Sequence, residues 1–154
     1  MHHHHPTVVS TRDYYRLQAM MCTMIDLHTP MASLARHKLR SAVVMLPTDI
    51  SPDVVAAGRC VHLTIDGYRS DVRALTWGSP VRGTIRELSL LVPRGLALLG
   101  LAVGQSISYT SPTGRTEFKI EAVSSDNDAV LQFDPVRNAD VVLAGAAHGA
   151  APLI

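Results

Sequence analysis

The sequence predicts an α+β protein, a short N-terminal antiparallel helical hairpin followed by a mainly antiparallel β-sheet domain with one short helix. Three observations predict it. Apolar residues recur at three- and four-residue spacing between Tyr14 and Ala42, the period of helices with one buried face. From Cys60 onward the pattern changes to short strand-like runs separated by turn residues. A single glycine-bounded apolar run, Val92-Pro93-Arg94-Gly95-Leu96-Ala97-Leu98-Leu99-Gly100-Leu101-Ala102-Val103-Gly104, interrupts that series and reads as one short helix handing over to a strand.

Residues 1–6, with His2 to His5, read as an expression tag or a solvated polar start. Ser10 with Asp13 three residues on makes a capping-box-like helix start, the serine hydroxyl serving an orphan N–H and the carboxylate facing the positive helix end. Tyr14, Leu17, Met20, Met21 and Met24 then form one apolar face. Asp26-Leu27-His28-Thr29-Pro30 breaks the helix, and Thr29 and Pro30 supply the cap and first-turn proline of a second helix through Leu34, Ala35, Leu39 and Ala42. The hairpin spans residues 7–46, and Pro47 to Asp53 is a connector into a domain spanning 47–125. There, strands are expected at Cys60–Ile65, Val72–Trp77, Thr84–Val92, Ser106–Tyr109 and Glu117–Val123, with turns at Asp66-Gly67, Gly78-Ser79-Pro80, Arg82-Gly83 and Pro112-Thr113-Gly114. In the short helix Pro93 suits the first turn and Gly100 the left-handed residue after the end. Leu91, Val92, Leu96 and Leu99 are expected to lie against the sheet, each buried leucine contributing about 1.5–3 kcal/mol. Residues 126–154 hold a candidate strand at Val130–Phe133 and an Ala/Gly-rich tail expected to pack loosely.

Composition narrows the function. With 47% apolar and 18% charged residues in 154, the chain can build a core and is not a disordered segment. A net charge of +1 excludes a global field drawing the chain to nucleic acid or an anionic membrane. Cys22 and Cys60 lack metal-ligand spacing and are expected to be reduced thiols of a cytoplasmic protein. The apolar runs at Leu96–Val103 and Val141–Ile154 are broken by glycine and fall short of the ~20 residues that span a bilayer, so no membrane association is expected.

No catalytic constellation emerges. His37, His62 and His148 are scattered, no Ser-His-Asp or Cys-His set follows from spacing, and no phosphate-binding glycine loop is present, so neither a metal, a cofactor nor nucleotide kinase activity is expected. Trp77, Tyr68, Tyr109 and Phe118 are the aromatics available to a peptidyl-prolyl isomerase pocket, and ordinary sheet packing accounts for them better. Arg36, His37, Lys38 and Arg40 stand on the second helix with no acidic neighbour, either as a solvated face or as a basic patch for acidic protein or phosphate.

The hairpin, the β-rich domain and the Val92–Gly104 run resemble the GreA/GreB family, whose C-terminal domains carry Ser-Pro-x-Gly-x-Ala-Leu-Leu-Gly, and more closely its Rnk-like branch. Pro93, Gly95, Ala97, Leu98, Leu99, Gly100 and Gly104 fall on that motif, Pro112 and Gly114 match its downstream Pro-x-Gly turn, and Pro52-Asp53-Val54-Val55 matches the connector. The resemblance covers about residues 8–123. Gln105 stands where the family usually has aspartate, Val92 replaces the capping serine of Gre factors, and Lys38 occupies a site commonly glutamate in Rnk-like chains.

The resemblance implies an FKBP-like C-terminal domain docking at the rim of the secondary channel of bacterial RNA polymerase, with the hairpin pointing into the channel and any association with DNA or RNA made indirectly through the polymerase. Gre factors carry acidic residues at the tip that help hold a catalytic magnesium. Here the tip offers Asp26 alone beside His28, and hard cations favour several oxygen ligands. Helices of about 14 residues at ~1.5 Å per residue reach roughly 20 Å, half the length of a true Gre hairpin. The expectation is a polymerase-binding regulator without transcript cleavage, acting by occupancy and by competition with Gre-type factors; the alternative is a cleavage stimulator using Asp26. The expected contacts are Asp26, His28, Arg36, Lys38, Arg40, Arg82 and Arg94.

Overall fold

The computed structural model describes residues 6–78 and 86–125. Arg82, the turn at Arg82-Gly83, Ser79 and Pro80 of the turn after Gly78, His2 to His5, His148, the candidate strand at Val130–Phe133 and the Ala/Gly-rich tail lie outside the described residues. The architecture is mixed α+β with a mainly antiparallel sheet and few helices. In order it runs β1 (Thr7–Ser10), α1 (Thr11–Thr23), α2 (Pro30–Ser41), β2 (Ala42–Met45), β3 (Cys60–Ile65), β4 (Arg69–Thr76), β5 (Glu87–Ser89), α3 (Pro93–Leu98), β6 (Ser106–Ser111) and β7 (Gly114–Ser124).

Both long helices start where their caps dictate. The Ser10 hydroxyl accepts the Asp13 N–H at 3.0 Å, and the Thr29 hydroxyl accepts that of Ala32 at 3.1 Å. Each helix grows out of or into a short strand that periodicity alone did not show. β1 and β2 pair in parallel, Thr7 with Ala42 through Ser10 with Met45, so Ala42 begins a strand instead of closing α2.

The larger sheet has the order β5-β4-β3-β7-β6. β3 is antiparallel to β4 on one side and to β7 on the other, β6 and β7 form a hairpin, and β4 and β5 run parallel. The β3–β4 turn is made by Asp66 at φ 53° and Gly67 at φ 79°, the left-handed pair that joins two strands without splaying them. Of the expected Thr84–Val92 strand, Thr84 and Ile85 lie outside the described residues, and among the rest only Glu87–Ser89 is strand, preceded by Arg86 at φ 70°, a conformation that does not continue a strand. Leu91 and Val92, expected against the sheet, are instead exposed, because the chain turns at Leu90 to enter α3.

One core joins the helices to the sheet. Leu17 of α1, Ala35 of α2, Val9 of β1 and Leu96, Leu98 and Leu99 around α3 belong to the same buried cluster as Val61, Leu63, Ile65, Phe118 and Ile120 of the sheet. Gly95 lets α3 lie on β5, since a Cβ there would collide with the Ser89 carbonyl oxygen. Gly100, at φ 83°, sits under β1, where a Cβ would meet the Thr7 methyl and lie 3.0 Å from the Val8 carbonyl oxygen. Backbone bonds close the same junction: Val8 N–H to the Gly100 carbonyl, and Gly100 N–H to that of Val55 at 3.0 Å. The family motif is thus the floor on which the N-terminal elements rest.

Two polar residues behave differently from their sequence reading. Asp13 is buried, and its carboxylate accepts the Trp77 indole N–H at 2.9 Å and the Ala57 N–H at 3.2 Å, tying α1 to the residue after β4 and to the segment before β3 instead of serving its own helix end. Gln105 replaces an aspartate without losing the turn: its Oε1 accepts the Ala102 N–H at 2.8 Å, while its own N–H reaches the Ala102 carbonyl at 3.0 Å.

Candidate functional site

The α1–α2 connection is built from local hydrogen bonds. The Thr23 hydroxyl turns back to the Met20 carbonyl at 2.8 Å as α1 ends, and Met24 N–H reaches Met21. Asp26 Oδ1 then accepts the His28 N–H at 2.8 Å, an Asx turn that fixes the corner. Thr29 donates its hydroxyl to the Asp26 carbonyl at 3.4 Å, and Arg36 Nη2 donates to the Leu27 carbonyl at 2.9 Å. Asp26 and His28 are both exposed, so the structure brings this expected pair together at the tip. What spacing did not reveal is their setting, for Ile25 is fully exposed at 102% and Leu27 is also exposed. The tip is a lone carboxylate between two bare aliphatic side chains.

The basic residues of α2 do not form one patch. Arg36 and Arg40, four residues apart, share a face, with Arg36 engaged on the tip backbone and Arg40 exposed. Lys38 corrects its expectation as a surface contact. It is only 3% exposed, and its ammonium donates at 2.8 Å to the carbonyls of both Ala97 and Leu99. Those carbonyls end α3, where unpaired acceptors and the negative helix end favour a cation. Burial pulls its pKa down to about 8. Lys38 is a rivet between α2 and α3, out of reach of a partner. The sequence signal was its place four residues from Leu34 and three from Ala35, on the apolar face.

Arg94 is exposed in the first turn of α3, with its guanidinium 5.5 Å from the centre of the Phe118 ring of β7. Elsewhere Asp71 gathers Arg73 Nε and Arg86 Nη1, each at 2.8 Å, across the β4–β5 junction. The aromatics named for an isomerase pocket are dispersed: Tyr68 is exposed at the β3–β4 turn, Phe118 is buried under Arg94, and Trp77 is held by Asp13. Among the described residues, no three His, Cys, Asp or Glu side chains converge as a metal site, Cys22 and Cys60 are in no disulfide, and no helix is long and apolar enough to cross a membrane.

No family model matches the chain. Curated relatives do: the regulator of nucleoside diphosphate kinase of Escherichia coli K12 and that of Shigella flexneri are each 28% identical over 111 residues, covering 71% of this chain and 82% of theirs. A solved GreA/GreB transcription elongation factor from Nitrosomonas europaea superposes with a TM-score of 0.64 at 27% identity, covering 78% of this chain and 98% of that one. The chain is similar in sequence to the regulators of nucleoside diphosphate kinase and in fold to the GreA/GreB factors. In this chain the residues of the resembling motif are structural. Pro93 opens α3, Ala97 and Leu99 offer carbonyls to Lys38, Leu98 fills the core, and Gly104, at φ 88°, donates its N–H to Ile120 at 2.8 Å. Pro112 and Thr113 make the β6–β7 turn before Gly114.

Proposed function

We propose that this chain is a bacterial RNA polymerase-binding transcription regulator that docks at the secondary channel and stimulates no transcript cleavage of its own. It acts by occupancy and by competition with Gre-type factors. In this reading residues 47–125 form the FKBP-like docking domain, and α1 and α2 are the short antiparallel hairpin that enters the channel. Similarity to the Rnk and GreA/GreB factors supports the partner.

The observation that carries the mechanism is the tip. Asp26 is the one carboxylate of the α1–α2 connection, and its Oδ1 is engaged by the His28 N–H. A magnesium that lowers the pKa of an attacking water needs an open set of oxygen ligands, and one carboxylate already holding a corner supplies little of it. Length argues the same way, since helices of 13 and 12 residues reach about 20 Å at ~1.5 Å per residue. Ile25 and Leu27 fill channel space without contributing charge. Asp26, His28, Arg36 and Arg40 would meet the channel wall, and Arg94, with Arg82, the rim.

The test uses stalled transcription complexes, with transcript length followed as this protein is added alone and then against a true Gre factor. Suppression of Gre-stimulated cleavage with no shortening by this protein alone is expected. Shortening by this protein alone would overturn the cleavage-free reading, and no effect in either arm would overturn polymerase binding.

A further inference from the structure

A cleft of about 520 Å³ opens where the start of α1, the connector and the end of β4 meet, away from the α1–α2 tip. Its size is that of a small-molecule site. Arg12 and Arg16, one helical turn apart on α1, line it with Arg59, and Trp77, directly after β4, lines it as well. The described ion pairs, Arg73 and Arg86 with Asp71 and Lys119 with Glu121, use none of these three arginines.

Two acidic residues also line the cleft, and they do different things. Asp13 accepts from the Trp77 indole and the Ala57 N–H, so its oxygens fix the tryptophan instead of pairing with an arginine, while its charge still faces the cleft. Glu87 is the second carboxylate, and three guanidinia against two carboxylates leave the lining net positive. Arg59 is itself fixed, its Nη1 donating at 2.7 Å to the carbonyls of Ser51 and Val54. The cleft therefore has a pinned guanidinium, two further guanidinia on a helix face and a pinned aromatic ring.

The geometry points to a binding site for a nucleoside phosphate, with Arg12, Arg16 and Arg59 receiving the phosphates and the Trp77 ring the base. Guanidinia bind phosphate through paired charge-assisted hydrogen bonds, and a ring held by its own N–H presents its face without further ordering cost. The cleft is a binding site, with no transfer step attached to it.

Trp77 is the only tryptophan of the chain, so its fluorescence reports on this cleft alone. The experiment titrates the full chain with GDP, with inorganic pyrophosphate and with guanosine, and repeats each titration on Arg12→Gln and Arg16→Gln. Glutamine keeps the helix, and circular dichroism checks the fold of both variants. A saturable change with GDP is expected, competed by pyrophosphate, absent with guanosine, and weakened about tenfold in each variant. An unsaturable response, or an affinity unchanged by both substitutions, overturns the site. Displacement of GDP by a single-stranded oligonucleotide or an acidic peptide at far lower concentration overturns the small-ligand assignment in favour of a polymer.

Discussion

Lys38 of α2 donates its ammonium at 2.8 Å to the carbonyl of Leu99, 61 positions away, and by this bond and its twin to Ala97 the second helix is fastened to the end of α3. The side chain with the most exposed chemistry in the sequence is among the most buried in the structure. Such a group is retained only if its proton donors are matched, because a buried polar group without a partner costs several kcal/mol. Here two carbonyls that α3 cannot satisfy itself do the matching.

Replacing Lys38 by methionine keeps the aliphatic volume and removes both donors. The expected loss is about 1–3 kcal/mol, two charge-assisted bonds partly offset by relief from burying a cation. Lys38→Glu should be worse, since it sets an anion against two carbonyl oxygens, and the N-terminal helices should detach. Urea unfolding with a helix-sensitive and a sheet-sensitive signal separates the two outcomes. An unchanged midpoint for Lys38→Glu would remove Lys38 from its buried place.

The same burial sets a pH dependence. In the folded chain the Lys38 pKa is pulled to about 8 from an unfolded value of 10.5, so between those values the unfolded state binds more protons. Stability from this group therefore rises with pH across that window and is lost as pH falls through about 8, with a slope up to about 1.4 kcal/mol per pH unit. A neutral amine still offers two N–H groups, enough for Ala97 and Leu99, so the contact survives deprotonation. The stability difference between the native chain and Lys38→Met should move in favour of the native chain between pH 8 and 10.5. Parallel pH curves for the two proteins would contradict it.

Much of this arrangement was legible in the sequence, and the exceptions have a common cause. Ser10, Thr29 with Pro30 and Asp66-Gly67 act through neighbours within a few residues, so their caps and turns could be read from spacing. β3 was bounded correctly for the same reason, as a run between turn signals. What failed depends on partners far along the chain. The β1–β2 pair joins residues 35 apart (Thr7 with Ala42), and Asp13 finds Trp77 across 64 positions. A local cap explains an aspartate three residues after a serine equally well, which is how the tertiary role of Asp13 was hidden. At the candidate site, Asp26 and His28 could be placed by the helix break, whereas the exposure of Ile25 and the withdrawal of Lys38 from the basic face needed the packed structure.

Gly95 provides a packing test of the family motif. A Cβ at this position would enter the space of the Ser89 carbonyl oxygen, a backbone atom that cannot rotate away. Gly95→Ala should cost more than about 3 kcal/mol or leave the chain unfolded, although alanine is a better helix former than glycine. Gly58, at φ 84° with nothing near its Cβ position, serves as the control: Gly58→Ala should cost only the strain of a left-handed alanine, about 1–2 kcal/mol. Thermal unfolding of both variants gives the comparison. Equal midpoints would mean that α3 does not lie as close to β5 as described.

The tip and the rim can be separated by substitution. If the bare aliphatic side chains fill the channel, replacing Ile25 and Leu27 together by serine should weaken competition with a Gre factor several-fold, while Asp26→Ala, which removes an exposed Asx-turn bond, should change it little. Arg94→Ala removes an exposed cation–π contact worth about 0.5–1 kcal/mol, so the fold should survive while docking weakens. Competition titrations in stalled complexes, with unfolding midpoints beside them, read both effects. Loss of competition in Asp26→Ala with Ile25 and Leu27 dispensable would reverse the assignment, because it would make the lone carboxylate the working group of the tip.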